Sequence, residues 1–225
     1  MAWETDPYED RSEAGRSLAE KLVKFSKEKP VIVGLPRGGV VLAAEIARAL
    51  NAELDVIIAG KLRAPYNPEL AIGAVTEEGA VYLNDMAVRS LRIKPDYIEK
   101  EKRERLRAVT ERLNLYRKIK KKVPLKGRTV IIADDGLATG ATMISAIQAS
   151  AASGAKKIIV AVPGGPQDTV DRISGMKEVS EVVCPLIPSL FFAVSQLYLD
   201  FRQVEDEEVV AILREFAPEK ERKGA

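Results

Sequence analysis

The residues best placed to do chemistry form one unbroken stretch, residues 128–145, with the sequence RTVIIADDGLATGATMIS. Two adjacent carboxylates, Asp134 and Asp135, follow the apolar run Val130-Ile131-Ile132-Ala133. After them come Gly136, Leu137, Ala138, Thr139, Gly140, Ala141 and Thr142, and then Met143-Ile144-Ser145-Ala146-Ile147, which reads as a helix. The first backbone N–H groups of a helix lack intrahelical partners and sit at the positive end of its dipole. Thr139, Gly140, Ala141 and Thr142 can therefore surround a phosphate with amides and hydroxyls, and Gly136 and Gly140 let the backbone come close to it. The carboxylates would repel that phosphate, but they can accept hydrogen bonds from hydroxyls elsewhere on the same molecule. A ribose 5-phosphate meets both demands. A plain strand-to-helix corner with capping residues accounts for the acids and threonines one at a time, but not for the whole contiguous order. No G-x-x-x-x-G-K-[ST] run competes as a phosphate loop, and no G-x-G-x-x-G follows a strand.

A second loop has the same construction. Residues 30–35, PVIVGL, read as a strand and residues 40–50, VVLAAEIARAL, as a helix, with Pro36, Arg37, Gly38 and Gly39 between them. The loop leaves the carboxyl end of a strand, the edge at which open α/β sheets bind ligands. It joins one permanent cation to two glycines that open the backbone to an anion. Residues 54–58 form the next strand, and beyond it Lys61 and Arg63 stand on the same ligand-facing edge and lead into the Pro-bearing loop Tyr66-Asn67-Pro68.

The run VIIADDGLATGAT resembles the phosphoribosyl-pyrophosphate (PRPP) signature of the type I phosphoribosyltransferases, and PRGG resembles their pyrophosphate loop. The resemblance implies that Asp134 and Asp135 bind the ribose hydroxyls and act as catalytic residues. Gly136 through Thr142 would bind the 5-phosphate, and Arg37, Gly38, Gly39 and Lys61 the pyrophosphate. Lys61 and Arg63 would be catalytic cations, with residues 62–78 forming a hinged lid. It further implies magnesium carried by the substrate, with no direct protein ligand beyond contact of Asp134 and Asp135 through water, and a small hood near the chain end. There Phe191, Phe192, Tyr198 or Phe201 would stack on a nucleobase-like acceptor. One departure stands out: where purine-salvage members often carry a third acid that handles a proton, this chain has Ala138.

The remaining elements must position these groups. Residues 11–25 place Ala14, Leu18, Leu22 and Phe25 at helical spacing. Residues 73–75 and 81–83 read as a hairpin, residues 157–162 and 181–184 as buried strands, and residues 167–176 and 205–216 as helices. Strands and helices alternate, so we expect an α/β domain with a parallel sheet flanked by helices on both faces, spanning residues 1–225. Within it, residues 185–216 would supply the hood and terminal helix, and residues 218–225 a flexible tail. Residues 89–122 differ in composition, with fourteen Lys or Arg against five Asp or Glu in a chain of net charge +2. They predict a basic helical insertion. It offers an alternative function, a PRPP- or nucleotide-sensing regulator that binds RNA or DNA through this segment.

Composition excludes much else. There is no histidine, so Ser/His or Cys/His nucleophiles and His-ligated zinc are ruled out, and Cys184 is the only cysteine. The chemistry must use carboxylates, Lys, Arg, Tyr, backbone amides or a substrate-bound metal. No run approaches the length of about 20 apolar residues that a membrane span needs, and the first residues lack a signal-peptide pattern. The expectation is a cytoplasmic homodimer without membrane contact.

Overall fold

The computed structural model describes residues 6–58, 60–75, 79 and 81–218. Its centre is a five-stranded, all-parallel sheet in the order β2-β1-β6-β7-β8. The strands are β1 (Val31–Gly34), β2 (Glu53–Val56), β6 (Thr129–Ala133), β7 (Lys157–Ala161) and β8 (Val179–Val183). Side chains alternate along a strand, so an apolar run covered on both faces feeds two separate cores. Ile32, Ile131 and Ile159 point to one face, where they meet α1 (Arg11–Leu22), α2 (Gly38–Leu50) and α7 (Asp206–Glu215). Val33, Val130, Ile132 and Val160 point to the other, against Met143, Ala146 and Ile147 of α5 (Ala141–Ala152) and Val170 and Ile173 of α6 (Gln167–Ser174). Each fully buried Leu or Ile in these layers contributes roughly 1.5–3 kcal/mol.

The chain order sets where a ligand goes. From β1 the chain moves outward to β2, and it later returns to place β6 on the other side of β1. The connections after β1 and β6 therefore leave in opposite directions and open a crevice at their carboxyl ends.

The segment between β2 and β6 departs from the sequence-based expectation. Residues 60–64, expected as a ligand-edge loop, form β3 (Gly60–Ala64), which pairs antiparallel with β4 (Asn67–Val75), itself paired with β5 (Val81–Leu83). This second sheet packs on α5 and on α4 (Pro95–Ile119). The pattern is present in the sequence: Gly60, Leu62 and Ala64 are buried while Lys61 and Arg63 alternate outward, the period of a half-buried strand. The expected hairpin of residues 73–75 and 81–83 is there, and it belongs to this three-stranded sheet. Most of the turn that joins it, residues 76–78, and the tail from residue 219 lie outside the described residues.

The basic segment is also more than a solvated stripe. After the short α3 (Asp85–Ser90), α4 buries Val109, Leu113 and Tyr116 in the main core, and the Tyr116 hydroxyl donates to Asp206 Oδ1 at 2.6 Å. At its end Arg117 Nη1 meets Asp55 Oδ1 at 2.6 Å, and Asp55 Oδ2 accepts the Val123 N–H at 2.8 Å. Asp55 is only 2% exposed. Its carboxyl ties the basic helix and the strand entry that follows to the sheet edge. Among the described residues no helix is long and apolar enough to cross a membrane.

Candidate active site at the β1 and β6 switch point

The phosphate-binding candidate is a braced loop. Asp134 N donates to Ala161 O at 3.3 Å and Leu137 N to Gly164 O at 2.9 Å, so the neighbouring β7 connection sets its path. The Leu137 side chain is buried in the second core, whereas Ala138, Thr139 and Thr142 are exposed. Gly140 caps α5 with φ of 70°, a left-handed conformation that favours glycine. From behind, Thr169 Oγ1 donates to Ala138 O at 3.1 Å and Arg172 Nη2 to Thr139 O. With those carbonyls engaged by α6, the first α5 turn presents its N-terminal amides to an anion, the Ala141 N–H reaching only Thr139 Oγ1 at 3.5 Å within the loop.

The two sequence-predicted loops meet directly. A Cβ on Gly38 would collide with Asp135 Oδ2, and one on Gly39 would stand 2.7 Å from Ala133 O and 2.8 Å from Asp134 Cα. The peptide bond between Pro36 and Arg37 is cis. Because the obstacles at Gly39 are backbone atoms of a central strand, they cannot yield. We expect Gly39→Ala to displace the loop, costing about 1–3 kcal/mol in stability, which thermal melting would read.

Asp134 is half-buried and its Oδ1 accepts the Asp135 N–H at 2.9 Å. Burial first, and the adjacent Asp135 charge second, hold its carboxyl well above the usual carboxylate range. Asp135 Oδ2 forms an ion pair with Arg11 Nε at 2.9 Å. Arg11, only 8% exposed, is a site residue that the sequence reading missed. Its signal lies in the helix pattern: position 11 shares the buried face of Ala14, Leu18 and Leu22, and a cation on an apolar stripe needs a partner.

The chain end closes the site from above. Tyr8 N donates to Leu197 O at 2.9 Å, and Leu199 N and Asp200 N donate to Tyr8 O and Glu9 O, each at 2.8 Å. Tyr198, 6% exposed, donates its hydroxyl to Asp135 O at 2.7 Å and stacks on Phe201 with ring centroids 5.2 Å apart. Burial pushes its phenol far up, so it stays a donor. Of the rings expected to meet an acceptor, Tyr198 thus props the acidic loop from within the packing. Phe191 is half-buried against the main core, and Phe192 is 85% exposed. Gln196 shapes the Phe192 turn, accepting its N–H at 2.8 Å. Burial also raises the Cys184 thiol to about 12, which leaves it unreactive.

Between Arg37 and Gly38 on one side and Phe201 to Val204 on the other lies an open cleft of about 330 Å³, also lined by Arg11. Arg37 pairs with Glu205 at 3.1 Å and Arg202 with Glu208 at 2.7 Å. Arg202 is a second residue missed in the sequence, where it lies in an ordinary charged run. Lys61 and Arg63 lie on a different element from these groups. They stand on β3, where the Arg63 N–H faces Glu101 and the Arg63 carbonyl accepts from the Tyr97 hydroxyl at 3.1 Å. Among the described residues no cluster of three or more acids, cysteines or histidines is arranged to hold a metal. A divalent cation at the acidic pair would take most of its oxygens from the substrate, as magnesium does with phosphates.

Comparisons with known proteins agree with this layout. Two Mycobacterium tuberculosis proteins, from strains CDC 1551 and H37Rv and each named "Putative phosphoribosyl transferase", are 45% identical over 214 residues. The match covers 93% of this chain and 48% of each relative, so the chain spans about half the length of these relatives. A crystal structure of the protein TT1426 from Thermus thermophilus superposes with a TM-score of 0.89 at 42% identity, covering 95% of this chain and all of that one. The family model described as "Phosphoribosyl transferase domain" matches residues 5–202. With the switch-point crevice, the acidic pair and the two anion loops in one place, the chain belongs to the phosphoribosyl transferase domain family.

Proposed function

We propose that the protein transfers the ribose 5-phosphate of PRPP to a nitrogen nucleophile, a nucleobase-like acceptor, and releases pyrophosphate. The observation that carries this reading is the direct packing of Gly38 and Gly39 against Asp135 and Asp134. A ligand held at one loop must meet the other. In this reading the Thr139 to Thr142 turn holds the 5-phosphate while Asp134 and Asp135 accept hydrogen bonds from the ribose hydroxyls. Breaking the bond at C1 leaves positive charge on the ribose ring, which the adjacent carboxylates favour. Arg37 and Arg202 face the departing pyrophosphate. Arg37 is held by exposed Glu205 and Arg202 by half-buried Glu208, in surface pairs worth little, so exchanging each for a phosphate oxygen costs little. Magnesium, bound chiefly through substrate oxygens, supplies further charge neutralisation to the leaving group. In this reading Lys61 and Arg63 of β3 add their charge to the pyrophosphate side of the site. Ala138 supplies no base, so the acceptor's proton passes to water or to the leaving pyrophosphate.

A nucleic-acid-binding regulator is the weaker reading, because one face of α4 is committed to the core and Arg117 to Asp55. The test is titration calorimetry of PRPP with and without magnesium, followed by pyrophosphate release over a panel of purines and pyrimidines. Magnesium-dependent binding with release for one acceptor is expected. Binding without release for any acceptor would favour the regulator, and no binding would remove both readings.

A further inference from the structure

Arg11 lies more than a hundred residues from the acidic pair in sequence, and its guanidinium has three kinds of neighbour. Nε donates to Asp135 Oδ2 at 2.9 Å, Nη1 donates to the Arg202 carbonyl at 2.7 Å, and the Phe201 ring lies 3.9 Å from the guanidinium carbon. The Tyr198 ring lies 5.7 Å away, and its hydroxyl holds the Asp135 carbonyl. Burying a cation this deeply is costly unless it is paired and hydrogen-bonded, and a helix with only a packing duty would be served better by an apolar residue. The helix start itself is fixed by other means: Asp10 caps it through the Glu13 N–H at 2.8 Å, and residues 8–10 are laced to the hood by backbone bonds. The guanidinium is therefore free to act on Asp135. It engages Oδ2, and Gly38 lies against the same oxygen, so one edge of the carboxylate is fixed by the protein.

We propose that Arg11 is a positioning residue of the ribose site, acting through Asp135: it fixes the carboxylate's rotamer and balances its charge, and it ties that carboxylate to the hood at Phe201 and Arg202. This rests on the ribose reading of the acidic pair. It assigns the N-terminal helix, which carries none of the loops matched to the family's motifs, a part in substrate binding. A planar fork that bonds a carboxylate and a carbonyl while lying on an aromatic face is specific to arginine, and lysine reproduces only its charge.

The test uses two fragments of the substrate on the full chain. Ribose 5-phosphate and, separately, magnesium pyrophosphate are titrated calorimetrically into the wild type, Arg11→Met, Arg11→Lys, Asp135→Asn and the Arg11→Met, Asp135→Asn double variant. Arg11→Met is expected to weaken ribose 5-phosphate binding by roughly 10- to 100-fold, the scale of a mispositioned contact. Magnesium pyrophosphate affinity should fall by a clearly smaller factor, since Arg11 lines that cleft and holds the Arg202 carbonyl but acts on the ribose site through Asp135, and Arg11→Lys should recover part of the ribose 5-phosphate loss. The double variant should bind ribose 5-phosphate no more weakly than Asp135→Asn alone, since residues acting through one another are not additive. Should Arg11→Met not fold, Arg11→Gln, which keeps donors without the charge, takes its place in the cycle. Unchanged ribose 5-phosphate affinity in a folded Arg11 variant would overturn the proposal. So would additive losses, or an equal loss for magnesium pyrophosphate, which would make Arg11 a direct pyrophosphate ligand. If the wild type itself does not bind ribose 5-phosphate, the ribose reading falls and this inference with it.

Discussion

Asp134→Asn is expected to melt at a higher temperature than the wild type at pH 7 and yet to bind PRPP about 10- to 100-fold more weakly. Both effects come from one arrangement. The Asp134 carboxyl is half-buried beside Asp135, and its pKa is raised, by burial first and by its neighbour's charge second. A carboxyl whose pKa is raised on folding stabilises the protein only while protonated. That contribution is complete below the unfolded value of roughly 3.9 and is lost as the pH rises through the folded value. Asparagine escapes the loss, and its amide oxygen can still accept the Asp135 N–H that Asp134 Oδ1 accepts at 2.9 Å. The melting advantage should therefore be largest at neutral pH and above, and should disappear as the solution is acidified toward pH ~4. The loss of affinity is the scale of a hydrogen bond to a charged group, about 1.5–3 kcal/mol, and with Asp135→Asn added binding should fall below detection. Scanning calorimetry from acid to neutral pH reads the first effect and titration the second. A melting difference that did not vary with pH would show that the strain at the acidic pair is not electrostatic. Unchanged binding in the double variant would remove the pair from the ribose site. Such a site trades stability for function, as binding sites commonly do.

Asp55→Ala should be the most destabilising of the substitutions considered, by about 3–5 kcal/mol, the range for stranding one member of a buried ion pair. It leaves Arg117 without its carboxylate and the buried Val123 N–H without an acceptor. Arg117→Met should cost less, because burial already pushes the Asp55 carboxyl upward against the opposing pull of Arg117 and the Val123 and Val56 N–H groups. Without the arginine, Asp55 can protonate. The sign follows: the Arg117→Met deficit should be smallest in mild acid and should grow as the pH rises, because a raised folded pKa removes stability above the unfolded value. Denaturant unfolding of both variants at pH 5 and pH 8 would test the order. An Arg117→Met variant as unstable as Asp55→Ala at both values would mean that Asp55 stays charged without its partner. The functional consequence is local. Asp55 joins β2, the end of α4 and the strand entry at Val123, so its loss should loosen the basic segment before it reaches the β1 and β6 crevice.

The acidic pair, the Thr-Gly-Ala-Thr turn and the Arg-Gly-Gly loop are legible in the sequence because each works through a short contiguous backbone, whose chemistry is local. The parallel sheet is legible for a related reason: runs such as Val130-Ile131-Ile132-Ala133 are apolar on both pleat faces, and only a strand covered by helices on both sides can bury them. The β3 strand reads as a loop in sequence because two cations and a following proline outweigh its alternation, and its pairing with β4 gives the backbone partners that local propensity does not reveal. What tertiary structure alone decided is which distant residues complete the site. Strand order places β1 against β6, and so Gly38 and Gly39 against Asp135 and Asp134. The fold of residues 197–200 back over residues 8–10 brings Arg11 to the Asp135 carboxylate, Tyr198 to the Asp135 carbonyl and Arg202 to the adjoining cleft. No spacing in the chain encodes a contact across 124 positions. It exists because a buried cation must find a carboxylate, and the packing of α1 against residues 198–202 leaves Asp135 as the one it meets.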